Sequence, residues 1–346
     1  MKTVAVVLLG ILLASIGLIG FVPQVDAQSE PVLHVAVSLD SLGGIVDVVG
    51  RNYVGIDVLL PEGVEPHAAQ LPQSAIDAAS SADLLVLTGH FTWEEDLANQ
   101  TGTPFISLED YEEFGAELSP LPGNHGEEDD HGEGNLHSYW LLPKNAMAIA
   151  NATRVSLSDL APSHGNTWEA AFEEFVEDVE EFNQLVSEFE DENHFSELTA
   201  VVVFPAEAYV AETFGIEVRA VLQEGDNIFI AGVELLEVQT ALSNGSIDII
   251  LGSDIARLQA GGESAIQLAE DTGSQVIWWR TAFSAGASNY LSIMTFNLGV
   301  LTSSLENMAI SGEPTINYIS IGIAGFLAVV VVVETVLLYQ RIRNEE

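Results

Sequence analysis

Apolar and polar positions along the chain follow two alternating rhythms. Short apolar blocks are separated by stretches in which apolar residues return every three or four positions. The first block, residues 32–38, reads as a strand. Leu39, Leu42, Ile45 and Val48 then mark one face of a helix over 38–50. Val54, Ile56 and Val58 alternate in a second strand over 52–60, and Pro61 and Gly63 break the chain into a loop. A short helix is predicted over 74–81, and a buried strand over 83–88 ends at Gly89 and His90. Another short strand follows over 103–107. This order predicts a parallel sheet with helices on both faces.

The clearest helix lies in mid-chain. Trp168, Phe172, Phe175, Val179, Phe182, Val186 and Phe189 recur every three or four residues over 166–192, with acids filling the other face. At roughly 1.5 Å per residue it is about 40 Å long, which suits a strut joining two lobes. Beyond it the alternation resumes. Strands are predicted over 198–204, 218–222, 247–252 and 275–279, and helices over 207–214, 231–243, 256–271 and 289–307. The predicted fold class is therefore α/β, with two parallel-sheet lobes joined by a long rigid helix. Ligands of such open sheets bind beyond the carboxyl ends of the strands, so the cleft between the lobes is the expected site.

The ends of the chain add a location. Residues 4–21 are an apolar run behind Lys2, followed by Pro23 and the small-residue pattern up to Ala27, and read as a secretory signal over 1–27. A second apolar run over 316–339 carries a single acid, Glu334, and Arg341 and Arg343 follow it. At about 36 Å it is long enough to cross a hydrocarbon core of about 30 Å. The expected plan is an N-terminal lobe over 28–165 with an acidic loop over 120–135, a linking helix over 166–193, and a C-terminal lobe over 194–314. A C-terminal transmembrane helix over 315–340 and a cytoplasmic tail over 341–346 complete it, since cations stay on the cytoplasmic side. The ectodomain is then extracellular or periplasmic, on a single-pass membrane protein.

Charge excludes several functions. The 346 residues hold 52 Asp and Glu against 9 Lys and Arg, a formal net charge of −43, and no cysteine. Binding nucleic acid by phosphate neutralisation is excluded, as are disulfides, thiolate ligands and a lipid-modified cysteine. An apolar share of 48% argues against disorder for the body of the chain. The acidic stretch 127–130, set among prolines and glycines, reads as a loop without fixed structure.

Of the eight histidines, His125 and His131 lie in the acidic loop, and three others stand at loop or strand-end positions. His67 follows Glu65-Pro66, His90 follows Gly89 at the end of a buried strand, and His137 follows the acidic loop. Neutral imidazole is the commonest ligand for divalent transition metals, and histidines converging from different strand ends would make a zinc-like site. None of the short-range zinc spacings is present. His34 reads as a packing residue in the first strand, and His164 and His194 as end positions of the long helix.

Three segments carry a family resemblance. Residues 58–67 (VLLPEGVEPH), 136–146 (LHSYWLLPKNA) and 290–298 (YLSIMTFNL) resemble, in order and spacing, motifs of the zinc- and manganese-type (ZnuA/TroA-like, cluster A-I) substrate-binding proteins of ABC metal importers. The acidic loop lies where many zinc members carry a His-rich loop. The resemblance implies the metal-type substrate-binding fold, with His67 and His137 as the two first-lobe ligands. It also implies an ABC permease and its ATPase subunit as partners. The second lobe departs from the family pattern. Phe204 stands at the usual position of a third, histidine ligand, and Val276-Ile-Trp-Trp-Arg280 offers no late acid. Glu207, Asp254 and His90 are the candidate replacements, and Arg280 is read as forming an ion pair.

The resulting expectation is a membrane-tethered receptor that captures a divalent metal ion, zinc foremost, with manganese and copper as the other candidates. His67, His137 and His90 are its expected metal residues. The alternative is an accessory subunit that has lost metal capture. No nucleophile elbow, phosphate loop or arranged carboxylate pair is present, so the chain is not read as an enzyme.

Overall fold

The computed structural model describes residues 31–122, 134–225, 228–283 and 289–310, with side chains in the last segment to residue 307. The expected signal over 1–27, most of the acidic loop, the anchor over 315–340 and the tail over 341–346 lie outside the described residues. Among the described residues no helix is long and apolar enough to cross a membrane.

The first lobe is a four-stranded sheet in the order β2-β1-β3-β4. Its strands are β1 (Leu33–Val37), β2 (Val54–Val58), β3 (Leu84–Val86) and β4 (Phe105–Ile106), all paired in parallel. The helices between them are α1 (Asp40–Gly50), α2 (Gln73–Ser81) and α3 (Thr92–Thr101), followed by α4 (Leu108–Glu113) and α5 (Pro143–Leu160). The parallel strands β1 and β3 read as near-continuous apolar runs because helices cover both faces. One exception corrects the sequence reading: His34 points out of β1 and is exposed, because the strand's second position faces solvent.

α6 (Gly165–Asn193) is the strut. It buries Trp168, Ala171, Phe175, Val179 and Phe182 along one stripe and leaves its acids outside. His194 ends it in a left-handed turn, φ 55°, and His164 precedes it, its ring 4.9 Å from that of Tyr53.

The second lobe repeats the design in the order β10-β9-β5-β6, again all parallel. Its strands are β5 (Thr199–Val202), β6 (Glu217–Val221), β9 (Ile249–Ser253) and β10 (Val276–Trp279). Its helices are α7 (Ala208–Thr213), α8 (Val233–Asn244), α9 (Ala260–Thr272) and α10 (Tyr290–Ile310). A small antiparallel hairpin, β7 (Gln223–Gly225) with β8 (Ile228–Phe229), was not legible in the apolar pattern. Neither were α3, α4 and α5.

The lobes share one continuous core running from Leu33 to Leu301. Trp140 crosses between them, its indole N–H donating to Ser41 Oγ at 3.0 Å and to the Thr281 carbonyl at 3.3 Å. The Tyr290 hydroxyl donates to the Leu141 carbonyl at 2.8 Å. At Gly44 a Cβ would meet the Tyr290 backbone nitrogen at 3.0 Å, so only glycine lets α1 approach the start of α10 this closely.

Candidate metal centre

Three chain segments from the first lobe meet at the cleft. The loop after β2 brings His67. Glu65 folds back on this loop and accepts the backbone N–H of His67 at 3.1 Å and of Ala68 at 2.7 Å. The Trp93 indole on α3 donates to the Pro66 carbonyl at 2.9 Å and pins the loop down.

The turn after β3 brings His90. Gly89 turns the chain with φ 71°, and a Cβ there would press on Leu108 at 3.2 Å. Below the turn lies the buried Glu94. It accepts hydrogen bonds from the Ser38 hydroxyl, the Thr88 N–H and hydroxyl, and the N–H groups of His90 and Phe91. Burial pushes the Glu94 carboxyl pKa up, and the hydrogen bonds from Ser38, Thr88 and Phe91 oppose that shift.

The third segment enters from the acidic loop. Asn135 accepts the His137 N–H at 3.0 Å, Ser138 takes a left-handed turn with φ 59°, and a 3-10 turn over Tyr139–Leu141 follows. The Tyr139 hydroxyl donates to the Thr88 carbonyl at 2.8 Å and ties this segment to the His90 turn.

The rings of His67, His90 and His137 converge so that one ligand atom from each lies within 4.8 Å of the others. His67 Nε2 and His90 Nε2 are 3.0 Å apart. His67 Nδ1 lies 2.9 Å from Glu65 Oε1, and His137 Nδ1 lies 3.1 Å from Asn135 Oδ1. These acceptors fix the proton on Nδ1 of both rings and leave both Nε2 lone pairs for a ligand, the arrangement metal-binding histidines use. His90 Nδ1 is buried without a partner.

Burial, with the neighbouring His67 ring adding to it, pulls the His90 pKa down to about 4. Burial, then His90 and His67, hold His137 well below its ordinary value. Both rings are therefore neutral at neutral pH, the form that binds metal. Burial alone would raise Glu65, but the hydrogen bonds from His67 and Ala68 outweigh it and hold the carboxyl below its usual range. Leu39, Phe91, Trp140, Phe204 and Ile255 complete an apolar lining.

The second lobe contributes no histidine or carboxylate to this cluster among the described residues. Phe204 follows β5 and sets its ring 4.8 Å from that of His137. Glu207 is not part of the cluster; its buried carboxyl accepts the Phe204 N–H at 2.6 Å and hydrogen-bonds with Ser253. Burial raises its pKa to about 8, against opposing hydrogen bonds. Asp254 spends its oxygens on the N–H groups of Ile255, Thr281, Ala282 and Phe283 and on the Thr281 hydroxyl. The Arg280 guanidinium lies over the Phe296 ring, 3.9 Å from its centroid. Of the three candidate replacements, the structure brings only His90 to the cluster. Glu65 and Asn135 were not singled out from sequence. Glu65 sits inside the Glu-Pro-His motif and offered a signal, whereas Asn135 offered none.

Two α/β lobes joined by one long helix, with histidines gathered at the carboxyl ends of the strands, define a substrate-binding protein of the metal type. Residues 35–304 match the family described as "ZnuA: Zinc-uptake complex component A periplasmic", and the chain belongs to that family of periplasmic metal-binding proteins. A "Manganese-binding lipoprotein MntA" of Halalkalibacterium halodurans is 24% identical over 187 residues, 54% of this chain. The match spans only 59% of that relative's length. An Mn-bound periplasmic metal binding protein from Candidatus Liberibacter asiaticus superposes with TM-score 0.62 at 20% identity, over 79% of this chain and 99% of its own. A zinc-bound ZnuA carrying an internal deletion gives TM-score 0.62 at 18% identity, over 82% and 99%. At these identities the solved structures establish the fold alone.

The expected location is corrected as well: the relative is a lipoprotein, and among the described residues no helix is long and apolar enough to cross a membrane, so the single-pass arrangement with a cytoplasmic C-terminus is left without support. The closing helix expected over 289–307 is α10, and its Tyr290, Ile293, Met294, Leu298 and Leu301 are buried.

Proposed function

We propose that the protein captures a divalent metal ion between a first lobe over 28–165 and a second over 194–314, and presents it to an ABC permease and its ATPase subunit. His67, His90 and His137 hold the ion, and the protein acts as a receptor rather than an enzyme. The observation that carries this reading is the convergence of the three rings within 4.8 Å, with two Nδ1 atoms already held by acceptors.

The ligand set favours zinc, with copper next. Three neutral imidazoles suit zinc and copper, whereas manganese favours carboxylate and water oxygens. Three histidines also leave an open coordination position for water. Competitive titration of zinc, copper and manganese into wild type and a His67→Ala, His137→Ala double variant tests the reading. Tight 1:1 zinc binding lost in the variant is expected, and equal affinity in both proteins would sink it.

A second reading has one observation behind it. Phe204 fills the second-lobe ligand position with an apolar ring against His137. On that reading the chain is an accessory subunit without metal capture, and the same titration finds only weak, salt-sensitive binding.

A further inference from the structure

We propose that Glu65 and Asn135 are positioning residues through which the second lobe responds to an ion held entirely by the first. This inference rests on the metal-capture reading above. His67, His90 and His137 all belong to the first lobe, so an ion they bind does not itself bridge the cleft. The bridge lies one shell further out, and it is double.

Each of two histidines donates its Nδ1 proton to a side chain that also bonds to the second lobe. Glu65 Oε1 accepts from His67 Nδ1 at 2.9 Å and from Gln259 Nε2 of the second lobe at 3.4 Å. Gln259 is in turn bonded by Gln223, whose Oε1 accepts the Gly261 N–H at 2.9 Å. Asn135 Oδ1 accepts from His137 Nδ1 at 3.1 Å, while its Nδ2 donates to the Pro205 carbonyl at 2.9 Å. The Asn135 carbonyl also accepts the Tyr209 hydroxyl at 2.7 Å, and that hydroxyl accepts the Ser119 N–H at 2.9 Å.

An ion on the Nε2 atoms draws electron density from the rings and makes each Nδ1–H a stronger donor. It thereby fixes Glu65 and Asn135 in the orientation that meets the second lobe. Linkage makes the effect reciprocal: if the ion strengthens the interlobe bonds, those bonds raise affinity for the ion by the same factor.

The test uses the full chain and two second-lobe substitutions, Gln259→Ala and Tyr209→Phe, singly and together. Neither residue touches a histidine. Zinc affinity is read by chelator competition, and hydrogen exchange of residues 205–213 and 256–262 is read with and without zinc. In wild type, zinc is expected to slow exchange in both segments. In the double variant, which leaves the Asn135 Nδ2 bond to Pro205 in place, affinity falls by about tenfold at most, the low end for loss of an outer-shell partner, and the zinc-dependent protection disappears over 256–262 and weakens over 205–213. A merely structural role would lower protection equally with and without zinc. Wild-type affinity with full zinc-dependent protection in the double variant overturns the inference while leaving metal capture intact. Absence of zinc binding in wild type, or retention of binding in the His67→Ala, His137→Ala variant, overturns metal capture and the inference with it.

Discussion

His67 Nε2 and His90 Nε2 face each other at 3.0 Å. His67 gives its Nδ1 proton to Glu65, so its Nε2 is the lone-pair end and the shared proton sits on His90 Nε2. On the proposed reading, an ion taking up both nitrogens would require His90 to carry its proton on Nδ1 instead, the atom buried without a partner. Replacing His90 by Ala is expected to weaken zinc binding by more than the 10–100-fold typical of an outer-shell loss. Replacing the exposed His34 by Ala leaves binding unchanged. Chelator competition measures both.

Phe204 offers the opposite experiment. Its ring lies 4.8 Å from His137 and 6.1 Å from His67. Phe204→His supplies a ligand from the second lobe and completes a four-ligand site. Zinc affinity is expected to rise by about tenfold or more, equivalent to at least about 1.4 kcal/mol. An unchanged dissociation constant would mean that position 204 does not reach the ion.

The pH dependence of the metal-free protein follows from two buried groups. His90 has its folded pKa pulled down to about 4. Its unfolded value is near 6.5, so the unfolded state binds more protons between the two and stability falls as pH drops through that window. Glu207 runs the other way, with a folded pKa of about 8. The folded state holds the proton that the unfolded state loses above about 4.3, so this contribution fades as pH rises toward 8. Glu207→Gln keeps the neutral form and removes this second slope, which denaturant titrations from pH 4 to 8 read directly.

Glu94 is the structural anchor of the His90 turn. Glu94→Ala leaves three buried donors without their acceptor, the Ser38 and Thr88 hydroxyls and the Phe91 N–H, while the Thr88 and His90 N–H groups keep Ser38 Oγ and Thr88 Oγ1 at 3.2 Å. Each unpaired group costs roughly 1–3 kcal/mol before relaxation, so a loss of at least about 3 kcal/mol is expected in equilibrium unfolding. Zinc binding should fail along with it.

Metal removal gives the last measurement. An ion that binds only the folded state adds about 2.7 kcal/mol at a free concentration one hundred times its dissociation constant. A chelator is expected to lower the melting temperature of wild type and to leave the His67→Ala, His137→Ala variant unmoved.

Periodicity carried the fold where burial is strong. The strands around Val35, Leu85 and Ile250 and the stripe from Trp168 to Phe189 were legible because both sheets and the strut bury continuous apolar surface. α5 was missed because its buried face is built of small and polar residues, Ala146, Ala150, Thr153 and Asn145 among them, which carry little apolar signal. His67 and His137 were legible from the motifs around them, and His90 from its place at a strand end. Asn135 was not, because one of its hydrogen-bond partners is a carbonyl 70 residues away. The apolar run over 316–339 suggested an anchor, but length and hydropathy alone do not fix a location.

The strut sets how the two lobes can move. α6 buries its stripe in the core that both lobes share, so neither lobe can swing about a loose tether. Opening the cleft means rolling packed side chains along a beam of about 43 Å, which limits travel to small shear displacements. On the proposed reading, loaded and empty forms would present nearly the same outline, and a permease would tell them apart by the stiffness and hydrogen-bond pattern at the rim rather than by shape.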